Sequence, residues 1–258
     1  MPHKIDRSEP KAAARKVVAA ARKVVAVACK VAATHKAASR EAPATNREEF
    51  AVGNYVKFGS YPQSKSGMGD TPIKWLVLAR DGDKALLISK YALDCVRYNE
   101  ERMFVTWETC TLRKWLNNNF YNRAFSADEQ QYIVESVVTA DIDPIHDTKL
   151  GNDTTDKVFL LSSTESHKDF SNDNARICFL TAYGEEHCAL KGIDGEACMW
   201  WLRSSGHRGY EAACVSSDGS LYSRSCLYDF DIFPCRRHDA NVDHTNLNVR
   251  PAVWVRPF

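Results

Sequence analysis

The chain has 258 residues, of which 44% are apolar and 26% charged, with 12 Gly and 9 Pro. That composition suits one globular domain with an additional segment and excludes collagen-like, wholly disordered and helical membrane-spanning chains. No stretch approaches the roughly 18 to 20 apolar residues that cross a bilayer, and no signal-peptide h-region or cleavage site is visible, so a cytoplasmic or phage-associated protein is expected. The net charge of +1 is a balance of unlike parts: residues 1–47 hold 11 Lys/Arg against 3 Asp/Glu, and residues 48–258 hold 23 against 30. A +8 segment is joined to a −7 body, and such asymmetry assigns the two parts different work.

From Ala14 the sequence reads ARKVVAA, ARKVVAV, ACKVAAT, a seven-residue repeat with Val17, Val24 and Val31 in one column. Alanine is the best helix former, and Arg15, Lys16, Arg22, Lys23 and Lys30 recur outside the Val/Ala seam, so a basic helix from about Glu9 to Ala38 is predicted. With its thin seam it reads as a solvated basic tail or spacer, an oligomerisation or docking helix, or a contact for nucleic acid or an anionic membrane. Without aromatic stacking groups it disfavours nucleic acid. Pro43 and its small or polar neighbours read as a linker, placing the domain boundary near residue 47.

After the boundary, Val52 to Gly59 alternates like a half-buried strand, and Ile73–Ala79 and Ala85–Ser89 flank Arg80-Asp81-Gly82-Asp83 as a hairpin. Leu112, Trp115, Leu116 and Phe120 recur at helical steps, predicting a helix over Cys110–Phe120 with Thr109 as its N-cap. Ser126 with Glu129 is a capping box opening a helix through Val134. Ser162 with Glu165 is another, after a strand over Val158–Leu161, and its helix ends near Phe170. Strands and scattered helices without repeated βαβ units describe an α+β domain. No phosphate-cradling glycine loop is present, and no cofactor is expected.

Nine cysteines form an odd set without an export signal, so reduced thiols are expected. Cys178, Cys188, Cys198, Cys214, Cys226 and Cys235 contain no C-x2-C pair, so no metal site is assigned. The six tryptophans are read as core, and Arg113, Arg203 and Arg250 as planar donors that pin loop carbonyls or a carboxylate.

Several motifs together carry a resemblance: Asn54-Tyr55-Val56-Lys57-Phe58-Gly59-Ser60-Tyr61-Pro62-Gln63, Pro72-Ile73-Lys74-Trp75-Leu76-Val77-Leu78, Thr106-Trp107 through Trp115-Leu116-Asn117, Trp200-Trp201-Leu202-Arg203-Ser204, and Val249-Arg250-Pro251-Ala252-Val253-Trp254. In this order, over about residues 50 to 258, the chain resembles the bacterial domain family DUF6273. That family is similar to the C-type-lectin-like fold of formylglycine-generating enzymes and of the variable proteins of diversity-generating retroelements. The resemblance implies short antiparallel strands with peripheral helices and a ligand-binding face.

The window from Ala212 to Val249 adds an independent signal. Lys, Glu, Gln, Met and Trp make up 43 of the 258 residues, so about six are expected in 38 positions, and none occurs. Every residue type present has a codon ending in a pyrimidine, and the five absent types do not. Adenine-directed mutagenesis of AAC or AAT codons leaves that exclusion. Asp218-Gly219 reads as a turn, with Ala212, Ala213 and Val215 as scaffold. The candidate recognition residues begin with His207, Arg208 and Tyr210 in the preceding loop. Within the window they continue through Tyr222, Arg224, Cys226, Tyr228, Phe230 and Phe233, then Arg236, Arg237, His238 and Asp239, and end with Asn241, His244 and Asn246. Tyr and Phe supply contact area at low entropy cost, and Arg supplies forked hydrogen bonding.

The expected function is therefore metal-independent, non-catalytic binding of a protein or other macromolecular ligand. Two alternatives stand beside it. One is a cysteine-dependent oxidase like the formylglycine-generating enzymes, using Cys226 and Cys235. The other is a fixed-specificity interaction domain whose window is an ordinary Ser- and Asn-rich loop.

Overall fold

The computed structural model describes residues 48–65, 69–140, 151–188, 197–206, 208–221, 241–245 and 247–258. The basic N-terminal helix lies outside the described residues. The first sheet has the order β1 (Tyr55–Pro62), β2 (Asp70–Asp81), β3 (Lys84–Ser89) and β12 (Ala252–Val255), with every neighbouring pair antiparallel. Ile73, Trp75 and Val77 alternate inward along β2, while β3, central in the sheet, is buried from Ala85 through Ser89. The first strand begins three residues later than the alternation suggests, because Ala51 to Gly53 form a turn that returns the Gly53 amide to the Val77 carbonyl at 2.8 Å. It also runs past Gly59, which lies in the register shift between Lys57 and Ser60 at φ +64° and donates its N–H to Glu129 Oε1 at 3.0 Å. The expected β2–β3 hairpin forms, with Asp81 opposite Lys84 and Gly82-Asp83 as the connecting pair. Gly82, at φ +59°, makes the bend.

The second sheet has the order β10 (Ala212–Val215), β9 (Trp200–Ser205), β11 (Asn248–Val249) and β4 (Asp94–Cys95). β9 is buried along its whole length, pairing antiparallel with β10 on one side and parallel with β11 on the other. Two small antiparallel pairs complete the strands: β5 (Ser136–Val138) with β6 (Thr154–Asp156), and β7 (Cys178–Phe179) with β8 (Ala197–Cys198). Both larger sheets contribute to one continuous apolar core that contains Trp75, Trp107, Trp200 and Trp201. Trp115 and Trp254 pack against its margin. The domain is α+β with short, mostly antiparallel strands.

Helices depart from expectation mainly at their ends. The helix at Thr111–Trp115 (α1) is capped by Cys110, whose sulfur accepts the Arg113 amide at 3.4 Å, instead of by Thr109. It passes through a π-helical turn, Leu116–Phe120, into Tyr121–Ala124 (α2). The Ser126 capping box forms in full, but its helix (α3, Ala127–Gln130) stops well short of Val134. Ile133 instead bridges Val255, and the Val134 amide donates to the Trp254 carbonyl at 2.8 Å, so pairing with the sheet edge wins over helix propagation. The Ser162 box likewise forms and opens α4 (Ser163–Asp169), which ends at Phe170 as expected. Val158 to Leu161 is fully buried but forms a single bridge, Phe159 to Ala252, in place of a strand. Its start is held by Asn117, whose amide oxygen accepts from the Lys157 and Val158 amides at 2.8 and 3.2 Å. Short helices α5 (Asp173–Arg176) and α6 (Ala182–His187) complete the set.

Polar groups pin these irregular segments. Asp156, 1% exposed, accepts hydrogen bonds from Trp107 Nε1 (3.0 Å), Arg113 Nε (2.6 Å), Asn117 Nδ2 (3.2 Å) and Thr154 Oγ1 (2.6 Å), joining α1, the π turn and β6 at one carboxylate. Arg203 pairs with Glu165 and donates to the Leu160 and Thr139 carbonyls. Arg250 donates to the Ser89 and Arg176 carbonyls at 3.0 and 3.1 Å. The three arginines thus have the roles expected of planar, forked donors.

The thiols are not uniformly reduced: Cys95, in β4, and Cys188, directly after α6, form a disulfide with Cα atoms 5.4 Å apart across a separation of 93 residues. Beside it, Asp94 accepts from the Tyr61 hydroxyl at 2.6 Å and faces His187 Nδ1 at 3.3 Å, so β4 and α6 are joined by polar contacts as well as by sulfur. Burial, together with the Asp94 charge, raises the Tyr61 phenol above the usual tyrosine range and keeps it a donor.

Two stability outcomes follow from these contacts. Asp156→Asn replaces one acceptor oxygen with an NH2 donor facing other donors and strips Arg113 of its charged partner, so urea unfolding should show a loss of about 3 kcal/mol; a loss below about 1 kcal/mol contradicts the role given to this carboxylate. Replacing Cys95 and Cys188 together by Ser should cost about 2–5 kcal/mol, because the closed loop is long. A matching loss on reduction of the unaltered chain checks the assignment.

Candidate functional site

The segment 222–240 lies outside the described residues, but both of its roots are defined, and both rest on one stretch of chain. On the outgoing side Val215 bridges Leu221 across a turn in which the Gly219 amide donates to the Ser216 carbonyl at 2.9 Å. This is the expected turn at Asp218-Gly219, with Gly219 at φ +82°. On the returning side Asn241 bridges Glu211, the residue before β10. Glu211 and Val215 are about 13 Å apart along an extended chain, so β10 spans the base of the excursion.

The returning root is held more firmly than a bridge alone would hold it. Val242 is fully buried, its amide donates to the Tyr210 carbonyl at 3.0 Å, and its carbonyl accepts the Asn99 amide at 2.7 Å. Asn99 is itself fixed, because its side-chain oxygen accepts the Thr111 amide at the start of α1 and its side-chain nitrogen donates to the Glu101 carbonyl. The neighbouring Tyr98 is buried, donates to the Arg203 carbonyl at 2.9 Å and packs against Trp201, with ring centroids 5.6 Å apart. A main-chain clamp therefore transmits the position of α1 and β9 to the foot of the excursion.

Beside this clamp, aromatic and arginine side chains gather. Phe104 is 78% exposed and meets Tyr210 edge-on at 6.1 Å. Arg102 lies over the Tyr210 ring at 4.7 Å, while Arg208 lies 5.8 Å from it and donates to its hydroxyl at 2.7 Å. Glycine is required at 209 for packing reasons: a Cβ there would sit 2.1 Å from Phe104 Cδ1, and the Val105 amide bonds the Gly209 carbonyl. Exposed Met103 extends the apolar part of the patch. The result is an exposed surface with large flat rings and forked donors next to the mouth of 222–240.

Among the expected site residues, Arg208 and Tyr210 belong to this patch. Asn241 and His244 lie at the returning root, where the His244 amide donates to the Asn241 carbonyl at 2.9 Å, and the Asn241 side-chain oxygen is buried with no donor among the described residues. His207, Tyr222, Arg224, Cys226, Tyr228, Phe230, Phe233, Arg236, Arg237, His238, Asp239 and Asn246 lie outside the described residues. The window is narrower as a surface than its composition suggests, because Ala212, Cys214, Val215, Val242, Leu247, Asn248 and Val249 are buried. Cys214 in particular is a core residue whose thiol burial pushes up to about 12, which excludes it from a contact surface. Arg102, Met103 and Phe104 were missed. An apolar Met-Phe pair directly after the charged run Glu100-Glu101-Arg102, outside any periodic pattern, was the available signal.

A second, polar depression of about 280 Å³ is lined by residues that include Arg113, Asn117, Asp156 and Lys157. Its central groups are already committed to the Asp156 network. Among the described residues no group of three or more His, Cys, Asp or Glu side chains is placed to hold a metal ion, and no helix is long and apolar enough to cross a membrane.

The family profile of DUF6273, a domain of unknown function, matches residues 82–257. The match covers more than half of the chain and spans α1, both β9 and β10, the clamp and the window. The chain belongs to the DUF6273 family. No curated protein and no solved structure matches it.

The patch and the clamp should separate in stability measurements. Phe104→Ser removes exposed surface and should shift unfolding free energy by no more than about 0.5 kcal/mol. Leu247→Ala, at the buried returning root, should cost about 2–5 kcal/mol. Comparable losses for the two variants would mean that Phe104 is a structural residue.

Proposed function

We propose that this chain is a non-catalytic binding protein with a C-type-lectin-like fold, whose region from about 207 to 248 forms a recognition surface diversified by a retroelement. The observation that carries the reading is the seating of both roots of 222–240 on β10 and its lead-in, beside an exposed aromatic and arginine patch. A frame of this kind holds its ends constant while the intervening side chains change. The composition of the window supports the same reading, since its residues are those reachable from AAC and AAT codons.

The partner is a protein or another macromolecule, engaged without metal through Tyr, Phe and Arg. These residues form the centre of tight interfaces when surrounded by contacts that exclude water. Arg102 and Phe104 form a constant shoulder of the site, and Arg208, Tyr210 and the residues of 222–240 belong to its variable part. The basic N-terminal segment serves self-association or docking.

Sequencing the gene and its copies in a population tests the proposal. Substitutions should be confined to the codons of about 207–248, fall at AAC- or AAT-derived positions, and accompany a near-identical template repeat with a reverse transcriptase gene close by. Unduplicated DNA with substitutions spread evenly along residues 48–258 would overturn it.

A further inference from the structure

Four cysteines among the described residues are free, and they fall into two kinds. Cys110 and Cys214 are buried singly, and burial pushes each thiol up to about 12, which makes them inert. Cys178 and Cys198 instead stand directly opposite each other in the antiparallel pair β7–β8. Directly opposed residues in such a pair have Cα atoms about 4.5 or 5.5 Å apart. Both spacings fall within the roughly 4.4–6.8 Å that a disulfide requires.

The surroundings of this pair favour one thiolate, with its charge at Cys178. Arg250, 3% exposed, donates to the Ser89 and Arg176 carbonyls and lies over the Trp200 and Phe170 rings, and among the described residues it forms no ion pair with a carboxylate. A buried guanidinium held by neutral groups leaves positive charge to be balanced. The Arg250 charge favours the anion at both sulfurs, and the Cys178 thiol donates to the Lys90 and Phe179 carbonyls at 3.7 and 3.6 Å. The Cys178 thiol is drawn down despite its burial, because the neighbouring Cys198 and then the Arg250 charge favour its anion, while the Cys198 thiol, which carries the shared proton, is raised by Cys178 and by burial. Cys178 is buried and Cys198 is half-buried, so an approaching reagent meets Cys198 first.

We propose that Cys178 and Cys198 form a second, reversible disulfide by exchange with a low-molecular-weight disulfide such as oxidised glutathione. The pair shares one proton, and its thiolate charge can reside on either sulfur. From Cys198 the thiolate attacks one sulfur of the external disulfide, forming a mixed disulfide and releasing one external thiolate. That thiolate takes the proton left on Cys178. The Cys178 thiolate then attacks the Cys198 sulfur and displaces the second external thiolate, which is protonated by water at neutral pH. In net terms two protein thiols are oxidised to one disulfide, and one external disulfide is reduced to two thiols. The bond closes β7 onto β8 directly before β9, the strand that pairs with β10, and brackets Cys188 of the existing disulfide within the chain it encloses.

The full chain, with Cys95–Cys188 formed, is equilibrated with oxidised glutathione, unfolded, alkylated and mapped by peptide mass. The expected result is loss of alkylation at Cys178 and Cys198, with their two peptides joined, while Cys110 and Cys214 remain fully alkylated. Cys178→Ser should stop the reaction at a glutathione adduct on Cys198, because the attacking second sulfur is absent. Recovery of Cys178 and Cys198 alkylated to the same extent as Cys110 and Cys214 would overturn the proposal, as would a bond from either sulfur to a different cysteine.

Discussion

The arrangement depends on a few main-chain hydrogen bonds at Val242. Its amide donates to the Tyr210 carbonyl and its carbonyl accepts the Asn99 amide, while its side chain is buried. A turn residue whose amide and carbonyl are both bonded cannot translate without breaking both bonds and opening the core beneath it. The chain thus returns from 222–240 into a fixed slot, and the outgoing root at Leu221 is tied to the same β10 segment. Binding by a surface of this kind gains from such fixity, because contact residues presented from defined roots lose less freedom on association.

The slot is rigid because polar hubs hold the irregular chain around it. Asp156 gathers donors from α1, the π turn and β6, and Asn117 binds the main chain that follows. Arg203 reaches from β9 to the capping carboxylate of α4, so Glu165 closes the helix start and an ion pair together. Such hubs substitute for ladder hydrogen bonds where strands are two or three residues long. Their removal is costly in a way that exposed contacts are not, since each leaves a buried polar group unmatched. Phe104, 78% exposed, lies outside this network. Membership of DUF6273 supplies the family frame without a function, and the functional reading rests on these contacts and on the window's composition.

Much of the scaffold was legible in the sequence because its signals are local. The β2–β3 hairpin follows from two apolar runs and a glycine turn, both capping boxes follow from Ser and Glu three residues apart, and the arginines follow from their Trp-rich settings. What was not legible depends on contacts between distant segments. The α3 helix stops early because Ile133 and Val134 pair with a strand more than a hundred residues later. Cys95 and Cys188 are joined because β4 lies beside α6, and no spacing rule connects them. Near the roots, Asn241 and His244 were expected from the window's composition and Arg208 and Tyr210 from the loop before it, whereas the place of Phe104 beside them was not. Its exposure is decided by Gly209, against whose backbone the ring lies.

The central claim is that the frame is independent of what 222–240 contains. The most direct measurement replaces residues 222–240 in the full chain with an unrelated sequence of equal length, drawn from the residue types that AAC- and AAT-derived codons permit, and follows unfolding in urea. The account predicts an unfolding free energy within about 1 kcal/mol of the original and an intact Cys95–Cys188 bond, as expected for changes confined to a surface. Loss of cooperative unfolding on replacement would mean that 222–240 is part of the core, and would contradict the account.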